Sequence, residues 1–87
     1  MTAYILYNRN SPAQRLAEGL ADRLSDAQVD SLLLDADSPR GIQMVDSYDI
    51  LDRPAVVLMR EDGSPLQIWQ GEDSMPSVGD VSYLAHQ

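Results

Sequence analysis

The chain has 87 residues, a hydrophobic fraction of 44% and a formal net charge of −8, which comes from fourteen Asp and Glu against six Arg and no Lys. This length predicts a single domain over residues 1–87, and the charge argues against binding to nucleic acid or to an anionic membrane surface, because both require clustered basic residues. The absence of cysteine excludes disulfides, thiolate catalysis and thiolate metal sites.

The first residues, Met1–Tyr4, contain no basic region and no apolar run of the length that a signal peptide needs. No stretch of the sequence is long and apolar enough to cross a membrane. We therefore expect a cytoplasmic protein. We interpret its charge mainly as a source of solubility, with an acidic surface for a basic partner as the alternative.

The first two elements are predicted by an apolar run and a helix start signal. Residues 4–7, Tyr-Ile-Leu-Tyr, predict a strand that is covered on both faces. Ser11 and Pro12 predict the N-cap and first position of a helix over 12–25, with the Ser11 hydroxyl accepting a backbone N–H. The predicted apolar stripe of this helix is Leu16, Leu20 and Leu24, with Ala13, Ala17 and Ala21 beside it.

A second strand is predicted over 29–34, with Leu32, Leu33 and Leu34 at its apolar centre. Two strands joined by a helix of this length form a right-handed, parallel βαβ unit. Ser38 and Pro39 repeat the helix start signal and predict a short helix over 39–47, whose apolar residues are Ile42, Met44 and Val45.

The last third of the sequence predicts a hairpin and a helix. A third strand over 55–60 follows Pro54, a turn over 61–64 contains Asp-Gly, and a returning edge strand covers 66–70. In that strand, Gln67 and Trp69 are expected on one face, and Leu66, Ile68 and Gln70 on the other. A final helix opens at Pro76–Ser77, with Val78, Val81, Leu84 and Ala85 directed inward.

The element order is therefore β-α-β-α-β-β-α, an α/β class fold with a four-stranded mixed sheet and helices on both faces. The segment Tyr48-x-Ile50-x-x-x-Pro54, the strand that follows it, the Asp62-Gly63 turn and the strand-ending Gly71 resemble the thioredoxin-like superfamily of thioredoxins and glutaredoxins. This resemblance implies a cis peptide bond between Arg53 and Pro54. It also implies a loop whose backbone pairs with an extended peptide or with glutathione.

The sequence departs from that superfamily at its Cys-x-x-Cys motif. The corresponding residues here are Asn10–Gln14, and Ser11 and Gln14 occupy the two cysteine positions. A hydroxyl group does not exchange with a disulfide, because that reaction requires a thiolate. We therefore predict a redox-inactive, cysteine-free member without thiol–disulfide oxidoreductase activity.

Ser11, Gln14 and Arg53 form the first candidate site, because a helix N-terminus beside a guanidinium favours an anion or carboxylate. In glutathione transferases, which share this fold, a serine at this position holds the glutathione thiol. The alternatives are a plain N-cap for Ser11 and an ion pair of Arg53 with Asp49 or Asp52.

Trp69 is a candidate interface anchor on an edge strand, and its alternative is packing against the last helix. The carboxylates Asp35, Asp37, Asp46, Asp49 and Asp52 are interpreted as a solvated face and not as a metal site, and His86 as a solvated side chain.

These features predict a module that binds a peptide or protein through the groove beside Pro54, without a catalytic residue, cofactor or metal. The predicted binding residues are Asn10, Ser11, Gln14, Arg53, Pro54, Trp69 and Gly71. Two alternatives stay open. One is a glutathione or small-anion binder that uses Ser11, and the other is a homodimer formed through a sheet edge or Trp69.

Overall fold

Four strands form one sheet in the computed structural model, which describes residues 1–86, and α-helices cover both faces of that sheet. The strand order is β2-β1-β3-β4, with β1 parallel to β2 and antiparallel to β3, and β3 antiparallel to β4. The elements are, in chain order, β1 (Thr2–Tyr7), α1 (Pro12–Asp26), β2 (Asp30–Asp35), α2 (Pro39–Ser47), β3 (Ala55–Met59), β4 (Pro65–Gln70), a 3-10 turn (Glu72–Ser74) and α3 (Val78–Ala85). The predicted element order and mixed sheet are confirmed, and the predicted bounds differ by one or two residues.

Two apolar layers hold the helices to the sheet. All five residues of β3 are buried, because this strand has a partner on each side and helices over both faces. On one face, α1 and α3 pack over the sheet through a cluster that contains Ile5, Leu20, Leu24, Val56 and Val81. On the other face, α2 packs through a cluster that contains Leu6, Met44, Ile50, Ala55 and Val57.

The predicted apolar stripe of α1 was wrong in part, because its first member is exposed. Leu16 is 42% exposed, whereas Leu20 and Leu24 are buried. An α-helix has 3.6 residues per turn, so side chains spaced by four drift around its axis, and Leu16 has left the face that meets the sheet. In α2, Ile42 is 50% exposed while Met44 is buried, because side chains two positions apart lie about 200° apart around a helix axis.

The predicted apolar centre of β2 was also wrong in part. Leu32 is 49% exposed and Leu33 is 38% exposed, whereas Leu34 packs against the cluster beneath α2. This strand lies at the edge of the sheet and pairs only with β1. An edge strand has fewer neighbours to cover its side chains than a central strand has.

A β-bulge changes the facing of side chains in β4. Leu58 pairs with Gln67, but Met59 pairs with Pro65, so Leu66 is an extra residue on this strand. As a result, Leu66 packs into the same cluster as Trp69, and Ile68 packs into the other. The expectation that Leu66 and Ile68 share a face was therefore wrong, because strict alternation fails at a bulge.

The turn and the last helix follow the predicted chemistry. Gly63 has a φ of +89°, and the Arg60 N–H donates to the Ser64 carbonyl at 2.8 Å, which closes the hairpin between β3 and β4. At α3, the Ser77 hydroxyl accepts the Asp80 N–H at 3.0 Å. The four residues predicted to face inward, Val78, Val81, Leu84 and Ala85, all belong to or pack against the α1–α3 cluster.

Within residues 1–86, no helix has both the length and the apolar character that a membrane span needs.

Candidate functional site

Three loops meet at one end of the sheet. This end holds the last residue of β1, the first residue of β3 and the last residue of β4, because β3 runs antiparallel to both neighbours. We call this surface the Pro54 face and define it as residues 8–14, 51–54 and 70–71. It contains six of the seven predicted binding residues, and Trp69 lies one position before it.

Arg53 connects two of these loops. Its Nε donates to the side-chain oxygen of Asn8 at 2.9 Å, and its Nη1 donates to the Ile50 carbonyl at 3.3 Å. The ion pair expected with Asp49 or Asp52 is not formed, so that alternative was wrong. In the part of the chain that the structure describes, the carboxylate paired with an arginine is Asp35, whose oxygen lies 3.2 Å from Arg9 Nε.

Ser11 is the N-cap residue of α1, but its hydroxyl does not accept a helix N–H, so this part of the prediction was wrong. Its Oγ instead donates to the backbone carbonyl of Asn8 at 2.5 Å. The side-chain oxygen of Gln14 accepts the N–H of Asn10, the residue before the N-cap, at 2.8 Å, which attaches the preceding loop to the first turn of α1. Asn10 has a φ of 60°, a conformation that Asn tolerates better than most residues.

Pro54 is buried, and the peptide bond between Arg53 and Pro54 is cis. The Pro54 carbonyl accepts the N–H of Gly71 at 3.0 Å, which attaches this loop to the end of β4. Gly71 has a φ of +88°, where a side chain would be strained. The loop is held further by Gln70, whose side-chain oxygen accepts the N–H of Leu51 at 2.8 Å.

Leu51 and Arg53 carry the unpaired apolar and backbone groups of this loop. Leu51 is 83% exposed, the highest value among the exposed large hydrophobic side chains. Neither the N–H nor the carbonyl of Arg53 has a hydrogen-bond partner among residues 1–86. A free backbone donor and a free backbone acceptor on one residue are what an added β-strand requires.

Trp69 lies on the core side of β4 and is only partly exposed. Its side chain packs against the cluster that contains Val56 and Val81, which is the alternative considered for it. The structure therefore brings Asn10, Ser11, Gln14, Arg53, Pro54 and Gly71 to one face, and it leaves Trp69 packed against the α1–α3 cluster.

Two cavities, of about 330 and 270 Å³, lie outside the predicted set, because none of the seven predicted residues lines either of them. The larger cavity begins just beyond Gly71, between α1 and the segment 72–76, and its apolar lining is Leu16, Leu20, Met75 and Pro76. In residues 1–86, no group of three or more His, Asp and Glu side chains has the arrangement that a metal ion needs. His86 lies at the end of α3, with Nε2 3.4 Å from the Ala27 carbonyl.

Asn8, Leu51 and Gln70 belong to this face and were not predicted. The polar contacts of Asn8 and Gln70 join residues 45 and 19 positions apart, so no local pattern reveals them. Leu51 carried no signal either, because its neighbour Ile50 lies between the same two acidic residues and is buried.

No protein-family model and no curated protein sequence matches the chain. Among solved structures, it is similar to thioredoxin 1 from the thermophilic eubacterium Thermosipho africanus, with a TM-score of 0.68 and 10% sequence identity. The similarity covers 95% of this chain and 88% of that one, so it extends over the whole sheet and its helices. The chain has a thioredoxin-like fold that contains no cysteine pair, and it therefore has no means of thiol–disulfide exchange.

Proposed function

We propose that this domain binds an extended, basic segment of another protein through the Pro54 face, and that it is not an enzyme. The observation that carries the proposal is the pair of unbonded backbone groups on Arg53, next to the exposed side chain of Leu51. A bound segment forms two main-chain hydrogen bonds with Arg53. One of its apolar side chains packs against Leu51 and removes that side chain from water.

The loop is held in place before any partner binds. The bonds from Arg53 to Asn8, from Gly71 to Pro54 and from Leu51 to Gln70 attach it to the ends of β1 and β4. A surface that is ordered beforehand loses less conformational entropy on binding, which favours affinity. The same bonds direct the Arg53 guanidinium into the protein, so that its backbone is the part left for recognition.

The charge around the loop selects a basic segment. Asp49 and Asp52 flank Leu51 in sequence, and Asp52 lies beside Gly71, where an added Cβ would be 3.7 Å from the Asp52 Cβ. Glu72 and Asp73 continue this acidic surface and also line the larger cavity. A segment that crosses Gly71 reaches the apolar wall of that cavity, so we expect a second apolar side chain followed by Lys or Arg.

The alternative of a glutathione site at Ser11 has weaker support. The hydroxyl hydrogen of Ser11 is already directed to the Asn8 carbonyl, and the guanidinium of Arg53 is directed to Asn8 and Ile50. Binding of a thiolate at Ser11 requires its bond to Asn8 to break, and the Arg53 guanidinium is oriented toward Asn8 and Ile50 and away from a ligand at Ser11. Titration calorimetry with reduced glutathione at millimolar concentration is therefore expected to give no binding heat.

Selection of peptides tests the proposal without a known partner. A displayed library of random twelve-residue peptides is selected against the full chain, and the affinities of the enriched peptides are measured by fluorescence anisotropy. We expect the enriched peptides to combine Lys or Arg with apolar residues. The Leu51→Asp substitution should lower their affinity at least tenfold.

The matched control is Leu32→Asp, which makes the same chemical change at an exposed leucine of the β2 edge. This variant should bind the selected peptides as the wild type does. Equal binding by the Leu51→Asp variant, or equal weakening by both variants, would show that the Pro54 face is not the binding surface.

A further inference from the structure

The second cavity lies at the opposite end of the sheet from the Pro54 face. Its volume is about 270 Å³, just below the usual range for small-ligand sites, roughly 300–1,000 Å³. Residues from the start of β1, the end of β3, α2 and the β3–β4 turn line it. Two arginines, Arg40 and Arg60, and two tyrosines, Tyr4 and Tyr48, are among them.

Neither arginine forms an ion pair in the part of the chain that the structure describes, although Arg60 is close enough to Asp62 to contribute to the lowered pKa of that carboxyl. No carboxylate of residues 1–86 lies within 4.0 Å of Arg40 or Arg60, although the chain has fourteen acidic residues. Glu61 lines the same cavity without pairing to either guanidinium. The charged lining is therefore +1, from two arginines and one glutamate, in a chain whose net charge is −8.

The side chains beside these arginines leave their N–H groups available. The Arg40 guanidinium carbon stands 5.7 Å from the centroid of the Tyr4 ring, a cation–π contact, and no guanidinium N–H of Arg40 donates a hydrogen bond within residues 1–86. Arg60 makes one long hydrogen bond, 3.4 Å from Nη1 to Ser64 Oγ. The Tyr48 hydroxyl donates one weak hydrogen bond within residues 1–86, to the Met59 sulfur at 3.9 Å, which a phosphate oxygen can replace as the acceptor.

We propose that this cavity binds a small phosphorylated aromatic molecule. Planar guanidinium groups donate pairs of N–H bonds to phosphate oxygens, and the two tyrosine hydroxyls add further donors. The tyrosine rings and Met59 form an apolar wall for the organic part of the ligand. Two arginines suit one phosphate group, whereas a nucleic acid needs a longer basic track.

Phenyl phosphate is the probe, titrated into the full chain and followed by the amide signals of residues that line the cavity. We expect saturable binding, with a dissociation constant at least fivefold lower than that of inorganic phosphate, because only the ester fills the apolar wall. Arg40→Ala and Arg60→Ala should each lower the affinity for phenyl phosphate roughly tenfold, the usual effect of losing a hydrogen bond to a charged group. Glu61→Gln should raise the affinity for phenyl phosphate, because one negative charge that repels the phosphate is removed.

Arg15→Ala is the matched control, since Arg15 is an exposed arginine of α1 that does not line the cavity. It removes the same charge and should leave the affinity unchanged, and thermal unfolding verifies that every variant is folded. The proposal is overturned if phenyl phosphate does not saturate, if it binds no better than inorganic phosphate, or if Arg15→Ala weakens it as much as Arg40→Ala does. Signal changes at Leu51 and Gly71 instead of the cavity would also overturn it, independently of peptide binding at the Pro54 face.

Discussion

The side chain of Arg53 donates a 2.9 Å hydrogen bond to the side chain of Asn8, a residue 45 positions earlier in the chain. The bond joins the loop after β1 to the loop before β3. It is also part of a short chain of contacts, because the Ser11 hydroxyl donates to the backbone carbonyl of the same Asn8. Asn8 thus sets the position of both loops, although neither charge nor sequence pattern distinguishes it from other loop asparagines.

Asn8→Ala is expected to destabilise the domain by about 1.5 kcal/mol, because a partly buried guanidinium loses its acceptor. In a domain of this size, the melting temperature should fall by roughly 6–12 °C. Asn8→Asp retains an acceptor and adds charge assistance, so its stability should stay close to that of the wild type. Urea unfolding of both variants measures the difference, and equal loss in the two would mean that the Arg53 bond contributes nothing.

Two glycines should respond in opposite directions to the same substitution. A Cβ at Gly41 would overlap the Asp35 carbonyl oxygen and lie 2.9 Å from the Ala36 Cα, both of which are backbone atoms. Gly41→Ala should therefore cost about 3 kcal/mol, because α2 must move away from the end of β2. Gly19 lies inside α1 with its nearest such neighbour at 3.9 Å, so Gly19→Ala should stabilise the domain by about 0.5–1 kcal/mol. Chemical denaturation measures the free energy of unfolding of both variants. A change of the same sign in both would contradict this packing.

The Asp62 carboxylate in the β3–β4 turn should titrate at lower pH than an ordinary aspartate. The Ser64 hydroxyl donates to it at 2.6 Å and the Ser64 N–H at 3.0 Å, and these bonds hold the pKa of Asp62 below its usual value. The stabilisation that results is present above the unfolded-state pKa and is lost as the pH falls through the lowered folded-state pKa.

Ser64→Ala removes the hydroxyl hydrogen bond, which lowers the pKa of Asp62 more than the backbone hydrogen bond does. The pKa of Asp62 should therefore rise in this variant, and the loss of stability on acidification should begin at higher pH. Ser64→Thr retains the hydroxyl and should leave the pKa of Asp62 unchanged. Carbon-detected NMR of the Asp62 carboxyl measures the three curves. An unshifted curve in the Ser64→Ala variant would show that the hydroxyl bond is not formed in solution.

The fold was predictable from sequence because its signals are local. Ser38 with Pro39, the Asp62-Gly63 turn and the apolar run after Pro54 each specify an element within a few residues. The errors arose where distant parts of the chain decide the outcome. Leu66 changes face through a bulge that depends on pairing with β3, and Leu32 is exposed because β2 lies at the edge of the sheet.

The candidate site was predictable only in its framework. The resemblance placed Ser11, Arg53, Pro54 and Gly71 together, but it did not predict the direction of their hydrogen bonds. A side-chain direction depends on which acceptor is nearest in the folded protein, and for Arg53 that acceptor is 45 residues away. The exposed apolar group of the face, Leu51, follows from the loop path and not from any motif.

Amide hydrogen exchange at Arg53 tests the central proposal most directly, because its N–H has no partner among the described residues and is the group that a bound strand must cover. The measurement compares exchange in the free chain with exchange at saturation by a peptide selected on the wild type, and the Leu32 amide on β2 serves as the internal reference. We predict that the Arg53 amide exchanges at least tenfold more slowly in the complex while Leu32 is unchanged. Unchanged exchange at Arg53 in a saturated complex would contradict strand addition at the Pro54 face.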